Sequence, residues 1–324
     1  MIRKLNNNNH LAKEKSSPKF FSIGGGKGGI GKSFLTSNLA IASAKSGFKT
    51  LVIDLDFGGA NAHTYLELKR PQYNTFDFIN GEVALLTDAV CETQFENLSI
   101  IAGKDDMSRY NTIGELEVEH LFEGMKSLDY DRIFFDLGAG TNFETVHGFL
   151  NSDFKITLST PEPTSIENTY QFLKKSFYTH LKNIATEHGF SEQINSILKD
   201  TSLNHIKNPA QLLQHIGQEY GRTGEKIISG FDSFKPLIVI NQCRTPQDYK
   251  LGESLAQICR KYFGLDAHLL GHLSFENHVW QSVRSMRPLA IEYPHCLSLK
   301  EIKDISYKLN AIEKKQFYRY SVAV

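Results

Sequence analysis

The chain has 324 residues, with 36 Lys+Arg against 36 Asp+Glu, 40% hydrophobic and 22% charged. That balance gives the molecule no overall attraction to nucleic acid or to an anionic membrane, so any such affinity needs a local patch. No apolar run reaches the ~18–20 residues of a spanning helix, and none of signal-peptide length follows Arg3 and Lys4, so a cytoplasmic protein is expected.

Residues 1–17 carry Arg3, Lys4, Lys13 and Lys15 against Glu14, interrupted by Asn6–Asn9, and read as a mobile tail. Residues 18–324 read as a single domain. Lys19–Ile23 is a short apolar strand, and Ser33–Ser46 has helical periodicity. Between them, Gly26 to Ser33 fits the phosphate-binding pattern G-x-x-x-x-G-K-[ST]. Glycines let successive backbone N–H groups turn toward phosphate oxygens, and the following helix adds its N-terminal partial charge. Gly26, Lys27, Gly28, Gly29, Ile30, Gly31, Lys32, Ser33 and Phe34 are the nucleotide-binding candidates. Lys32 would reach the β- and γ-phosphates, and Ser33 would ligate Mg²⁺. Lys27 is a second lysine that an ordinary phosphate loop does not require.

Lys49–Ile53 is the next strand and ends in Asp54-Leu55-Asp56, two carboxylates on one side of the chain. Leu98–Ala102 follows. Val118, Leu121, Phe122, Met125 and Leu128 then form a helical stripe, and Arg132–Phe135 is a buried strand running into Asp136. An acid at that strand end suits Mg²⁺ held through water, and Gly138 and Gly140 allow a bend near the terminal phosphate. Phe154–Leu158, Leu237–Ile240 and His268–Leu273 complete seven strands. Strand–helix alternation behind a phosphate loop predicts an α/β fold, an open and mostly parallel sheet with helices on both faces. The nucleotide should lie at the carboxyl ends of its strands.

The connection after Ser159 is longer than a crossover needs. Thr164-Ser165-Ile166-Glu167 predicts a capping box opening a helix, and Ser191–Leu198 and Pro209–Gln218 predict two more. Residues at about 182–235 therefore read as a helical insertion, either extra cover for the sheet or a partner-binding surface. In Ile240-Asn241-Gln242-Cys243-Arg244, Arg244 stands where a guanine-reading Asp would be, and the Asn241 amide suits adenine, so ATP is favoured over GTP. Residues 298–324 lack a clear basic amphipathic helix and read as a solvated terminal helix, with membrane attachment weak or absent.

The run Lys27-Gly28-Gly29-Ile30-Gly31-Lys32-Ser33 resembles the deviant phosphate loop K-G-G-x-G-K-[ST] of the MinD/ParA family of P-loop ATPases. The resemblance implies an ATP-bound homodimer in which Lys27 reaches the partner's phosphates. It also implies Asp54 beside the magnesium's water shell, Asp56 orienting the attacking water, and slow hydrolysis that a protein partner stimulates. Met286-Arg287-Pro288 resembles the family's late segment that lines the base, which makes Arg287 the other candidate there. Asp54–Asn61, Asp136–Gly140, Thr160–Ser165 and Ser282–Pro288 are similar to the FlhG branch, MinD-like ATPases of flagellar number and placement. That similarity implies a positioning role at a membrane or cell pole, on a cargo or activator the sequence does not identify. The tail lacks the D-Q-A-type motif of that branch. A DNA-partitioning ATPase is the alternative, disfavoured by zero net charge. An iron–sulfur scaffold is disfavoured by four scattered cysteines, Cys91, Cys243, Cys259 and Cys296.

Overall fold

Alternation along a strand sends successive side chains to opposite faces. In β1 (Lys19–Gly24), Phe21 and Ile23 point one way; in β5 (Arg132–Leu137), Phe134 joins them while Ile133 and Phe135 lie on the other side. Both faces are apolar, so both must be covered. The computed structural model, which describes residues 17–69, 71–103, 113–200 and 206–321, shows how. The expected tail falls almost wholly outside the described residues.

Beside β1 and β5 the sheet contains β2 (Thr50–Leu55), β3 (Cys91–Glu92), β4 (Leu98–Ile101), β6 (Phe154–Ser159), β7 (Pro236–Cys243) and β8 (His268–Ser274). Their order is β3-β4-β2-β5-β1-β6-β7-β8. Every pairing is parallel except the two-residue β3 on β4. The strand missing from the sequence reading is β3, too short to show any period. β1 lies between β5 and β6, so the phosphate loop leaves the middle of the sheet.

The helices are α1 (Lys32–Lys45), α2 (Ala62–Tyr65), α3 (Thr75–Ile79), α4 (Glu115–Met125), α5 (Phe143–Leu150) and α6 (Pro163–Glu187). They continue as α7 (Ser191–Lys199), α8 (Pro209–Glu219), α9 (Gly221–Gly230), α10 (Pro246–Ile258), α11 (Asn277–Ser285), α12 (Leu289–Glu292) and α13 (Leu297–Ser321). One face packs α4 to α10 through residues such as Leu121, Phe149, Phe172, Leu213 and Leu255. The other packs α1, α2, α12 and α13 through Leu35, Leu39, Ala62, Leu289 and Ile302.

Two sequence readings need correction. α6 opens at Pro163 with Glu162 as its N-cap, so Thr164–Glu167 is not a capping box. Proline at the first helical position fixes φ where no N–H partner is needed, and Ser165 Oγ instead accepts from Thr160 N at 3.0 Å. The C-terminal helix is also not simply solvated: Leu299, Ile302, Ile305 and Leu309 of α13 are buried in the core over α1 and β8.

An ion pair fixes the far end of α13. Arg132, 3% exposed at the start of β5, pairs with Glu313 and lies 3.5 Å over the Phe48 ring. Breaking a buried pair leaves a charge without compensation, which costs about 3–5 kcal/mol. Glu313→Ala should therefore lower stability by about that amount in denaturant unfolding, whereas Lys303→Ala on the exposed face should leave it nearly unchanged.

The near end of α13 has its own anchor. Glu276 accepts the N–H groups of Leu297 at 3.3 Å and Ser298 at 2.9 Å, and its Oε1 meets His278 Nδ1 at 2.9 Å. Burial alone would raise its pKa, but these hydrogen bonds outweigh it and bring it from 4.5 down to about 2. A depressed carboxylate pKa contributes stability that is complete above the unfolded value and is lost as pH falls through the folded one. Glu276→Gln should then flatten the stability profile between those two values, as read by thermal melts along an acid series.

Candidate functional site

β1 turns into α1 through Gly24–Gly31, and packing dictates why glycine fills it. A Cβ on Gly26 would sit 2.0 Å from the carbonyl oxygen of Asn168 in α6, so the loop can lie this close to α6 only without a side chain there. Gly29 and Gly31 adopt φ of +75° and +96°, the left-handed region that costs other residues strain. Asn241, at the end of β7, donates from Nδ2 to Ile30 O at 2.7 Å, while its Oδ1 accepts Gln242 N at 2.8 Å. Its amide therefore braces the loop. Gly140 N donates to Gly25 O at 3.4 Å, joining the segment after β5 to the same loop.

Charge gathers on this frame. Lys32 starts α1 and is 7% exposed; burial lowers its pKa, and Asp136 and Asp56 pull it back up. Asp136 ends β5, fully enclosed, with Oδ1 accepting from Thr36 Oγ1 at 3.3 Å and Oδ2 without a hydrogen-bond partner. Burial pushes its pKa up to about 6, against the Ser33 hydroxyl and the Lys32 ammonium, which favour ionisation. Asp54 is opposite Asp136 in the β2–β5 register and is also fully buried. Its oxygens accept the N–H groups of Asp56 and Ala62, each at 3.0 Å, so it organises the turn that follows β2. Burial first and Asp136 next raise its pKa well above the usual carboxylate range. Asp56 is half-buried on that turn, its Oδ1 accepting Gly58 N at 3.3 Å and lying 3.3 Å from where a Gly138 Cβ would be.

Lys32, Ser33, Asp54, Asp56 and Asp136 thus converge at the carboxyl ends of β1, β2 and β5. Phe34 is buried in the core with its ring edge-on to Tyr65. Arg287 lies elsewhere: its guanidinium pairs with Glu292 at 2.8 Å and borders a 130 Å³ groove with Asn61, Thr64 and Tyr65. Lys27 is placed differently from Lys32. Its ammonium lies on the rim, 2.5 Å from Glu162 Oε2 and 3.2 Å from Thr164 Oγ1, at the start of α6. Sequence reasoning missed Thr36, Glu162 and Thr164 as parts of the site. Thr36 lies one helical turn beyond Lys32, a spacing that could have found it; the other two depend on tertiary contact alone.

A parallel sheet with a glycine loop on its middle strand, a buried lysine at the helix start and acids at neighbouring strand ends defines a P-loop nucleotide-binding protein. The family model AAA_31, described as an AAA domain, matches residues 18–187, more than half of the chain. Over 165 residues the chain is 36% identical to the flagellum site-determining protein YlxH of Helicobacter pylori, covering 49% of this chain and 54% of that one. It is 32% identical over 149 residues to the septum site-determining protein MinD of the same organism, covering 46% and 55%. The chain spans about half the length of the curated relatives it matches. The solved structure of MinD complexed with Mg-ADP from Pyrococcus horikoshii is similar with a TM-score of 0.58 and 19% identity, over 91% of this chain and 97% of that one. At that identity the likeness speaks for the fold alone. The chain belongs to the MinD/ParA family of P-loop ATPases, with FlhG-like relatives.

Because a Gly26 side chain would meet backbone rather than a movable side-chain end, Gly26→Ala must displace the loop from α6. Isothermal titration with ATP should show at least about a tenfold loss of affinity, one factor per 1.4 kcal/mol of displaced cradle.

Proposed function

We infer that the chain is an ATP-hydrolysing switch that pairs with a second copy when ATP is bound, and that it serves to place or count a cellular assembly such as flagella or a polar complex. The observation that carries this reading is the separation of its two loop lysines. Lys32 is buried beside Asp136 and Asp56, facing the chain's own phosphate cradle, whereas Lys27 stands on the rim against Glu162. An exposed ion pair of that kind is worth only about 0–1 kcal/mol. Lys27 can leave Glu162 at little cost, and a partner's triphosphate offers its ammonium a stronger field.

Within one copy, the backbone N–H groups of Gly28 to Lys32 and the Lys32 ammonium bind the phosphates. The Ser33 hydroxyl and the unpartnered, buried Asp136 Oδ2 fit a hydrated Mg²⁺, a hard cation that takes oxygen ligands. When bound, that ion would neutralise charge between the β- and γ-phosphates. Asp54 holds the turn carrying Asp56 through its two N–H contacts. Asp56 then orients the attacking water and accepts its proton, and Lys27 from the partner stabilises charge developing on the transferred phosphoryl group. Asn241 contributes by fixing the loop through Ile30 O.

A protein activator would act by steadying Lys27 or Asp56. DNA as a partner gains no support from a chain with no net charge. Among the described residues no helix is long and apolar enough to cross a membrane; attachment to a pole or membrane is proposed as peripheral. Residues at about 182–235, which include α7, α8 and α9, are proposed as an insertion of the single domain that covers the sheet beyond α6.

Lys27→Ala should leave a single copy's ATP affinity within about twofold, since Lys32 holds the chain's own phosphates. It should lose turnover by at least about tenfold, because the partner's site lacks its second ammonium. Steady-state phosphate release beside calorimetric binding checks it; unchanged turnover removes the exchange of lysines between copies. Asp56→Ala should accumulate ATP-bound dimers in light scattering, and a monomer at saturating ATP counts against the switch.

A further inference from the structure

The site described above leaves one exposed apolar surface unused. α11 packs Val279 and Ser282 inward, while Trp280, Val283 and Met286 stand 58%, 40% and 62% exposed. Spacings of three place these side chains in a row along one side of the helix. Contiguous exposure of large apolar groups marks an interaction site more often than scattered exposure does. Met286 adds a second sign. It closes the helix at φ +52°, a left-handed conformation that glycine or asparagine adopts at less cost, and its side chain gains little burial in return.

The row borders the 130 Å³ groove between α2 and α11, whose walls include Asn61, Thr64, Tyr65, Val283 and Met286. Beside it, next to Val283, stands a cation without an ion-pair partner among the described residues: Arg284, which stacks over Trp280 at 5.2 Å. Neighbouring acids are already engaged, Glu276 with His278 and the start of α13, and Glu292 with Arg287.

We propose that the α2–α11 groove docks an acidic amphipathic segment of a partner protein, with an apolar side chain seated against Val283 and Met286 and carboxylates on Arg284. A concave cleft beside a protruding ring favours a side chain entering it over a bilayer, which meets a surface broadly. The cleft also connects to the nucleotide end. The N–H of Ala62, at the start of α2, holds Asp54 Oδ2, and Tyr65 lies edge-on to Phe34, the residue after Ser33. Docking should therefore respond to nucleotide, and this coupling rests on the ATP-switch reading above.

Trp280 is the chain's single tryptophan, so its emission reports this surface alone. The probe is a synthetic amphipathic peptide of about four helical turns, Leu and Phe on one face and Glu on the other. A saturable blue shift is expected, weakened about tenfold by Arg284→Glu and by Val283→Asp. Both substitutions are at exposed positions, and circular dichroism confirms that each variant folds. No shift with the acidic peptide overturns the proposal. So does an equal shift with its Lys-for-Glu counterpart, or one produced only by phosphatidylglycerol vesicles or by duplex DNA. Calorimetric ATPγS binding, measured on the same samples, separates the two readings. Retained nucleotide binding with no peptide response removes the docking inference alone, and equal peptide affinity with and without ATPγS removes the coupling. Peptide binding without ATPγS binding leaves the groove standing and removes the ATP switch.

Discussion

Three carboxylates and one ammonium crowd the carboxyl ends of β1, β2 and β5, and the rest of the site answers to that crowding. Asp54 and Asp136 face each other across adjacent strands, both withdrawn from water. Burial and mutual repulsion raise the pKa of Asp54, so its charge is tolerated only where hydrogen bonds compensate. Two backbone N–H groups do this for Asp54, and Thr36, Ser33 and Lys32 do it in part for Asp136. Asp136 Oδ2 is left without a hydrogen-bond partner, and an oxygen of that kind is what a hard cation takes as a ligand. Electrostatic demand thus fixes the geometry of the turn carrying Asp56.

Packing imposes a second condition, because the charged cluster works only if the phosphate loop stays in place. Gly26 against Asn168, Asn241 against Ile30 and Gly140 against Gly25 hold it from three sides. Those contacts come from α6, β7 and the segment after β5, elements far apart in sequence. A rigid cradle is what lets modest charges act strongly on a developing negative charge, since no reorganisation is needed when the reaction occurs.

How much of this was legible beforehand follows from how far each signal reaches. Gly26–Ser33 could be read because its chemistry is local: a glycine run, a lysine and a hydroxyl in fixed spacing. Seven strands were visible because both-face burial leaves continuous apolar runs, as in Arg132–Phe135. β3, with two residues, had no period to show. The resemblance to the MinD/ParA family implied Asp54 beside the metal's water shell. The sequence could not show that the Ala62 N–H folds back eight residues to occupy it. The same limit hid Glu162, whose proximity to Lys27 exists only once β1 and β6 are neighbours. In α13, mixed charges suggested solvation, whereas Leu299, Ile302, Ile305 and Leu309 form a buried edge at intervals of three and four.

Strength differs across the site in a way that suits a switch. The Asn241 amide that braces the cradle through Ile30 O is buried, where a hydrogen bond is stronger than in water. The contact holding Lys27 is exposed and made between flexible side chains, so it is the cheapest to exchange. A ligand moves an equilibrium only through its different affinity for the two states. In the switch proposed above, that difference arises at the rim, where the Lys27 ammonium would exchange a carboxylate of its own chain for a phosphate of another's. On that proposal the buried lysine gives affinity and the exposed one gives the change of state.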